Sequence, residues 1–392
     1  MRSVLTPRLT LLALGHLTID AYSSFFSPLL PLLVRRFGLS LTMVGALVGL
    51  ASVSSSFGQP LFGLVSDRMR RPWLVAFGPL VAAVFMSAIG LAPSYGALVA
   101  LLMCGGVGVA MFHPQAAALA GEDTPRRALA MSIFVTGGTL GFALGPLLAV
   151  GTVQTFGLAH TWVAVVPGIV MSALLAPRLL RGGAHEARPL RARAPLRELR
   201  PVAWPLGLLY AIVVSRSAVS FGFMTFLSLH LTSHGFSIPR AGTMVSLYLA
   251  LGAMGGFLGG WLADRWGGRR VVLLSFVGAM PLYLGYLFLP VVPGLICLML
   301  GSFVLQSSLP VNVVLGQELS PRHSSTISSL LMGAAWGVGA LLVGPVGALA
   351  DAHGLHAGLL ALSALLACGL VFAVLLPAHR LVVAPEAAPV IP

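Results

Sequence analysis

The chain has 392 residues, of which 57% are apolar and only 8% charged, against roughly a quarter charged in a soluble domain. So much apolar surface excludes a water-soluble fold. It makes lipid the solvent along the whole length and leaves no room for a soluble catalytic domain.

A span needs about 20 residues at 1.5 Å rise, and cutting at Gly, Pro and Arg clusters gives twelve of them. The first, residues 9–34, resembles a signal peptide at its start. Its apolar stretch outruns a signal core and is interrupted by Asp20, so it reads as a retained spanning helix. Asp20 lies halfway along it with His16 one turn away on the same face, and Ser23 and Ser27 continue that stripe. An aspartate at mid-bilayer costs about 2.5–3.5 kcal/mol on insertion scales, so it must pair, face water or take up a proton. A proton-coupling pair, Asp20 with His16, is one reading; a structural hydrogen bond between them is the other. His-x-x-x-Asp also occurs in soluble acyltransferases, but a hydrophobic helix is the wrong setting for that chemistry, and no enzyme is expected.

The second span, 41–65, carries Gln59-Pro60 and ends in Gly63-x-x-x-Asp67-Arg68. There a glycine permits close helix approach, and an aspartate can bond a neighbouring helix's N-terminal amides. A contact of that kind can break and reform, so Gly63, Asp67 and Arg68 read as a conformational latch. The third and fourth spans cover 72–92 and 95–119; His113-Pro114 in the fourth sets a polar group beside a prolyl bend, where cavities form. The fifth, 128–151, holds Gly137, Gly138, Gly141, Gly145, Pro146 and Gly151, a small-residue series suited to tight packing, with Pro146 placed to bend the helix. The sixth covers 157–179. Residues 181–202, rich in Arg and Pro, then form a polar linker between two six-helix halves, 1–180 and 203–392.

The seventh span, 203–231, contains Arg216, a guanidinium that no apolar environment tolerates without partners. It is either a fork for an anionic substrate or a permanent ion partner of Asp20. The eighth, 239–263, repeats the loop motif as Gly260, Asp264 and Arg265. The ninth and tenth cover 271–290 and 294–318; the tenth holds the candidate substrate ligands Gln306 and Asn312, whereas Gln317 and Glu318 lie where loops are bonded. The eleventh and twelfth cover 325–350 and 355–376. Gly63 and Gly260 are 197 residues apart, and Gly145-Pro146 and Gly344-Pro345 are 199 apart, so two features repeat at about half the chain length.

All 23 basic residues are arginine. With the N-terminus cytoplasmic, 19 of them fall at cytoplasmic ends and loops, three (Arg35, Arg36, Arg240) face outward, and Arg216 lies within a span. That asymmetry puts both termini inside. The net charge of +13 is then a matter of lipid headgroups and not of nucleic acid, which needs a basic face on a folded module. Cys104, Cys297 and Cys368 all sit in spans and indicate neither disulfides nor a metal site.

Parallel six-helix repeats are the architecture of major facilitator transporters, all-α integral membrane proteins whose substrate site lies between the halves. His16-Leu-Thr-Ile-Asp20-Ala-Tyr22, Gln59-Pro60-Leu-Phe-Gly63, Phe112-His113-Pro114-Gln115-Ala116, Gly137-Gly138 with Ala143-Leu-Gly145-Pro146, and Gln317-Glu318-Leu-Ser-Pro321 carry a narrower likeness. Together they resemble the bacterial fosmidomycin-resistance branch over nearly the whole chain. The Phe-His-Pro block is the most specific of them. Met69 departs from the superfamily's loop pattern, which usually has glycine there. The resemblance implies a monomeric, proton-driven exporter in a bacterial inner membrane, with no cofactor beyond the proton gradient and with lipid, protons and a small molecule as partners. In that family Gly141-x-x-x-Gly145-Pro146 goes with antiport. His113, Gln59 and Tyr22 join Arg216, Gln306 and Asn312 as expected substrate-binding residues. A symporter importing a small metabolite is the alternative.

Overall fold

The computed structural model describes residues 6–66, 69, 71–120, 127–180 and 196–377. Among them are twelve helices long and apolar enough to span a bilayer, and no strand. They are α1 (Pro7–Phe37), α2 (Leu41–Ser66), α3 (Trp73–Leu91), α4 (Tyr95–Ala120), α5 (Arg127–Phe156) and α6 (Leu158–Leu180). The chain continues as α7 (Ala203–Ser233), α8 (Ile238–Trp266), α9 (Gly268–Phe288), α10 (Val291–Leu319), α11 (Thr326–His353) and α12 (Leu355–Leu375). All twelve expected spans are present. The largest boundary error is at α5, which passes through Gly151 to Phe156. A single glycine inside a helix costs only about 1 kcal/mol against alanine, too little to end a spanning helix, and no close contact requires one at Gly151, where a methyl group would meet open space. The helix stops instead at Gly157, whose φ of 82° lies in the left-handed region that favours glycine. Of the expected linker, residues 181–195 lie outside the described residues, and Leu196–Val202 forms a 3₁₀ turn leading into α7.

Large apolar side chains face outward around the bundle, Val292 at 68% exposure and Phe288 at 66%, as lipid rather than water allows. Among the first six helices α1 packs on α5, and α3 lies between α4 and α6; among the last six α7 packs on α11 and α12, and α9 on α10. The two groups of six meet along α2–α11 and α5–α8.

The α2–α11 contact runs from one end of the molecule as far as Ser56 and Phe57, which face Gly333 and Gly337. At that end Gly45 meets the Val343 carbonyl and Gly347 meets that of Leu41, so the α2 and α11 backbones touch. Asp351 accepts hydrogen bonds from Leu41 N (2.7 Å), Thr42 N (2.8 Å) and Thr42 Oγ1 (2.6 Å), capping the first turn of α2 from across the interface. Ser27 Oγ donates to the Met224 carbonyl and Ser228 Oγ to that of Ser27, joining α1 to α7. Towards the other end α2 and α11 part.

A π-helical turn stands on each helix where they separate, Val53–Phe57 on α2 and Ser329–Ala334 on α11. On α2 the cause is local. Pro60 has no N–H for the Ser56 carbonyl and its ring would clash there, so the helix widens just before it. A methyl group at Gly333 would lie 3.5 Å from that same carbonyl. Pro310 does the like on α10, which is interrupted at Ser307, four residues after Phe303 and directly after Gln306. Pro146, by contrast, sits inside an unbroken α5.

Candidate functional site

The parting of the helices leaves a central cavity of about 2570 Å³, open at the end that carries Met69, Asp264 and Arg322. Its walls come from both groups of six helices. At its depth sit two polar clusters, one on each side.

The first is built on Asp20, 7% exposed. His16 Nε2 lies 3.2 Å from Asp20 Oδ2, and His113 Nε2 lies 3.2 Å from Oδ1. The i, i+4 spacing brings His16 to Asp20 along α1, whereas only the packing of α4 on α1 brings His113. Both rings are oriented by the backbone: His16 Nδ1 donates to the Phe134 carbonyl and His113 Nδ1 to that of Val109, each at 2.8 Å. His16 stacks on Phe134 with centroids 4.2 Å apart and meets His113 edge-on at 4.8 Å. The polar atoms of the three residues lie within 4.8 Å of one another, a spacing that also suits a divalent cation. The N···O separations are hydrogen-bond lengths, so a single proton spans each gap.

Helix α5 closes over this cluster, and its glycines explain how. A Cβ on Gly137, Gly141 or Gly145 would strike the carbonyl of Ala13, Leu17 or Ala21, so α5 lies directly on the α1 backbone. One on Gly138 would lie 2.6 Å from Asp20 Oδ2 and strike the His16 ring. The glycine series is thus a packing surface for the α1 site.

The second cluster is built on Arg216, 2% exposed. Nη1 donates to Gln306 Oε1 at 2.6 Å and Nη2 to Ser217 Oγ at 3.2 Å, and the guanidinium lies 5.5 Å from the Trp336 ring centroid. Its Nε has no partner. The expectation of a permanent Asp20–Arg216 pair is corrected here: Asp20 is occupied by two histidines, and the partners of Arg216 are neutral. Gln306 is available because the α10 break lies next to it.

Of the other expected site residues, Gln59 lines the cavity, and so does His113. Tyr22 does not; its hydroxyl donates to the Ala164 carbonyl at 2.6 Å and accepts from Gly168 N at 3.1 Å, stapling α1 to α6. Asn312 is fully buried away from the cavity wall with both amide atoms unpartnered. Gln317, expected to bond loops, instead lines the cavity and donates through Nε2 to Ser328 Oγ at 2.8 Å, a bond between α10 and α11.

Among the expected latch residues, Asp67 and Arg68 lie outside the described residues. Gly260 and Asp264 border the cavity mouth, and Arg265 lies over Trp261 at 3.8 Å. The close approach expected at the two glycines is absent: a methyl group at Gly260 would meet open space and one at Gly63 only Pro114, 3.7 Å away. At this end, then, neither glycine makes a close helix contact.

Trp336, Ser217, the Phe134 carbonyl and Gly138 were not foreseen as site residues. The repeat held a usable signal for one relation, since 197 residues on from Asp20 is Ser217, beside Arg216. The two ionic groups thus occupy nearly equivalent places on α1 and α7.

A model of the Major Facilitator Superfamily matches residues 12–344. The chain is 29% identical over 385 residues to the MFS-type transporter YfnC of Bacillus subtilis, covering 95% of this chain and 93% of that one. It is 28% identical over 353 residues to the fosmidomycin resistance protein of Escherichia coli, covering 87% and 85%. A probable 4-methylmuconolactone transporter of Cupriavidus pinatubonensis matches at 27% over 334 residues, 82% of this chain and 77% of that one. Among solved structures, an inward-facing, unoccupied bacterial homologue of the lysosomal transporter Spinster superposes with a TM-score of 0.82 at 18% identity, covering 94% of this chain and 96% of that one. These relatives are transporters and not enzymes, and the fold calls for no cofactor. With twelve helices long and apolar enough to span a bilayer among the described residues and a central, polar-floored cavity between them, the chain belongs to the Major Facilitator Superfamily.

Proposed function

We propose that the protein is a proton-coupled antiporter that exports a small polar or anionic organic compound across a bacterial inner membrane, working as a monomer with both termini cytoplasmic. The observation that carries this reading is the pair of clusters across the cavity. On one side a buried carboxylate is held by two histidines; on the other stands a buried guanidinium with neutral partners only. The first is chemistry for protons, the second for an anion.

The two halves, 1–180 and 203–392, would rock about the cavity, and the open end, which carries Arg265, Arg269 and Arg270, is cytoplasmic by the positive-inside rule. Similarity to a fosmidomycin resistance protein supports export. Import by symport is the second reading, supported by relatives whose names describe transport of 4-methylmuconolactone and gallate.

Expression in a pump-deficient bacterium, challenged with phosphonates, dyes and acidic metabolites, tests direction and substrate together. Export predicts raised resistance to at least one compound, and uptake of that compound into inverted vesicles when a proton gradient is imposed. Accumulation in intact cells instead of resistance would establish the import reading.

A further inference from the structure

His16 and His113 each commit one ring nitrogen to a backbone carbonyl, Nδ1 of each lying 2.8 Å from the oxygen of Phe134 or Val109. A carbonyl oxygen only accepts, so both Nδ1 atoms carry hydrogen. Neutral imidazole has a single N–H, and in both rings it is therefore on the side away from Asp20. Each Nε2 is left with a lone pair aimed at a carboxylate oxygen 3.2 Å away. Two acceptors at that distance repel unless a proton lies between them. The rings have little freedom to turn over: His16 is stacked on Phe134 and covered by the Gly138 backbone, and His113 abuts His16 edge-on while bonded to the Val109 carbonyl.

We infer that His16, Asp20 and His113 form an acceptor for two protons, locked in tautomer by the backbone, with one proton in each Nε2···O gap. Each proton binds an Nε2 lone pair and converts that imidazole to imidazolium, while the carboxylate stays ionised and accepts the hydrogen bond. The cluster's charge runs from −1 when empty through 0 to +1 when full. Each proton has an oxygen of its own, because His16 faces Oδ2 and His113 faces Oδ1, and the carboxylate between the rings offsets the repulsion of the two imidazoliums, so the two steps are coupled.

Of the elements packed on the cluster, α4 presents His113, and α5 presents only Gly138 and the Phe134 carbonyl and ring. Among the described residues, the other charged or titratable groups lining the same cavity are Arg216, Tyr248, Asp264, Glu318, Arg322 and His323. His113 is then a proton carrier and not a substrate ligand, and the coupling capacity is two protons per cycle. Because His113 belongs to α4 and the other two residues to α1, filling the second gap also ties α4 to α1. This assignment deepens the proton-coupling reading and rests on it for its role in transport, though the proton count stands by itself.

Two measurements on the full-length protein in lipid nanodiscs test it. In ¹⁵N-histidine NMR, the His16 and His113 rings are expected to be neutral Nδ1–H tautomers at high pH, although free histidine favours Nε2–H, and both are expected to become doubly protonated on acidification. The signals are assigned by their loss in His16→Gln and His113→Gln, or by the contact of His16 with Phe134 should a variant fold poorly. Proton uptake over the same acid step, counted with a pH indicator, should fall by one per chain in His113→Gln, whose amide still reaches Asp20. It should fall by one in His16→Gln and by two when both histidine substitutions are combined with Asp20→Asn, which stops the freed, buried carboxylate from taking up a proton itself. A neutral Nε2–H form of either ring, or a loss of only one proton in that triple variant, would overturn the inference. So would one Zn²⁺ per chain retained by the wild type and lost in His113→Gln, which would make the cluster a metal centre. Transport that ignores pH while both counts hold would instead sink the coupled-transport reading and leave the two-proton acceptor standing.

Discussion

At Gly138 a methyl group would come within 2.6 Å of Asp20 Oδ2 and collide with the His16 ring. Overpacking of this kind costs about 1–3 kcal/mol, and here the side chains that must yield are the proposed proton carriers. Gly138→Ala is therefore expected to cut proton-driven transport at least tenfold while leaving a folded protein, read as uphill uptake in inverted vesicles against thermal stability. Unchanged uphill transport would show that the carboxylate's placement does not matter. Asp20→Asn is expected to abolish uphill transport and to retain downhill exchange of substrate, and full uphill transport by this variant would remove Asp20 from the mechanism. Across the cavity, a charge-assisted hydrogen bond contributes about 1.5–3 kcal/mol, which is roughly 10- to 150-fold in affinity. Arg216→Gln should weaken binding of an anionic compound by that factor and spare a neutral one, and Arg216→Lys, which keeps charge but loses the fork, should fall between. Normal anion binding in both variants, with poor expression, would make Arg216 a purely structural partner of Gln306 and Trp336.

Helices α2 and α11 touch at one end, part at the other, and carry a π-helical turn each at the point of separation. A π turn releases part of the hydrogen-bond ladder and so marks where a helix bends at low cost. To open the closed end, the Asp351 cap on Leu41 and Thr42 has to break. Such a cap contributes about 0.5–2 kcal/mol, or roughly 2- to 30-fold in the balance between states. Asp351→Ala should shift that balance by this amount towards opening at the capped end, measured by spin-label distances between α2 and α11. Asp264→Ala should weaken the proposed latch and so favour the open mouth seen here, where a methyl group at Gly260 would meet open space. If Asp351→Ala leaves the distance distribution unchanged, the cap is decoration on a contact held by the glycine backbones at Gly45 and Gly347.

Over the whole molecule, the proposed orientation places Arg240 outside and Arg270 inside. Single cysteines at those positions, in a background freed of Cys104, Cys297 and Cys368, should label with an impermeant thiol reagent on intact cells at 240 and not at 270; the reverse would invert the topology. The same orientation lets a membrane potential, negative inside, favour anion export by about 2.3 kcal/mol per charge per 100 mV. Arginines at helix ends also do more than meet headgroups. Arg269 donates to the carbonyls of Val374 (2.8 Å) and Leu376 (2.6 Å) at the end of α12, and Arg36 to Gly90 (2.5 Å) and Ala92 (3.0 Å) at the end of α3. Twelve helices were legible because lipid imposes one rule on every span, an apolar run of fixed length, and it leaves that rule written in composition. The His16–Asp20 pair was legible too, because residues four apart share a helix face. The partners from other helices were not. His113 reaches Asp20 only because α4 packs on α1, Trp336 reaches Arg216 only because α11 packs on α7, and Tyr22, two residues from Asp20 and so on another face of α1, staples α6 instead. A sequence fixes what lies along one helix; which faces of separate helices meet, and which polar groups they bring together, is decided by glycine-sized gaps and side-chain fit that exist only once the bundle has formed.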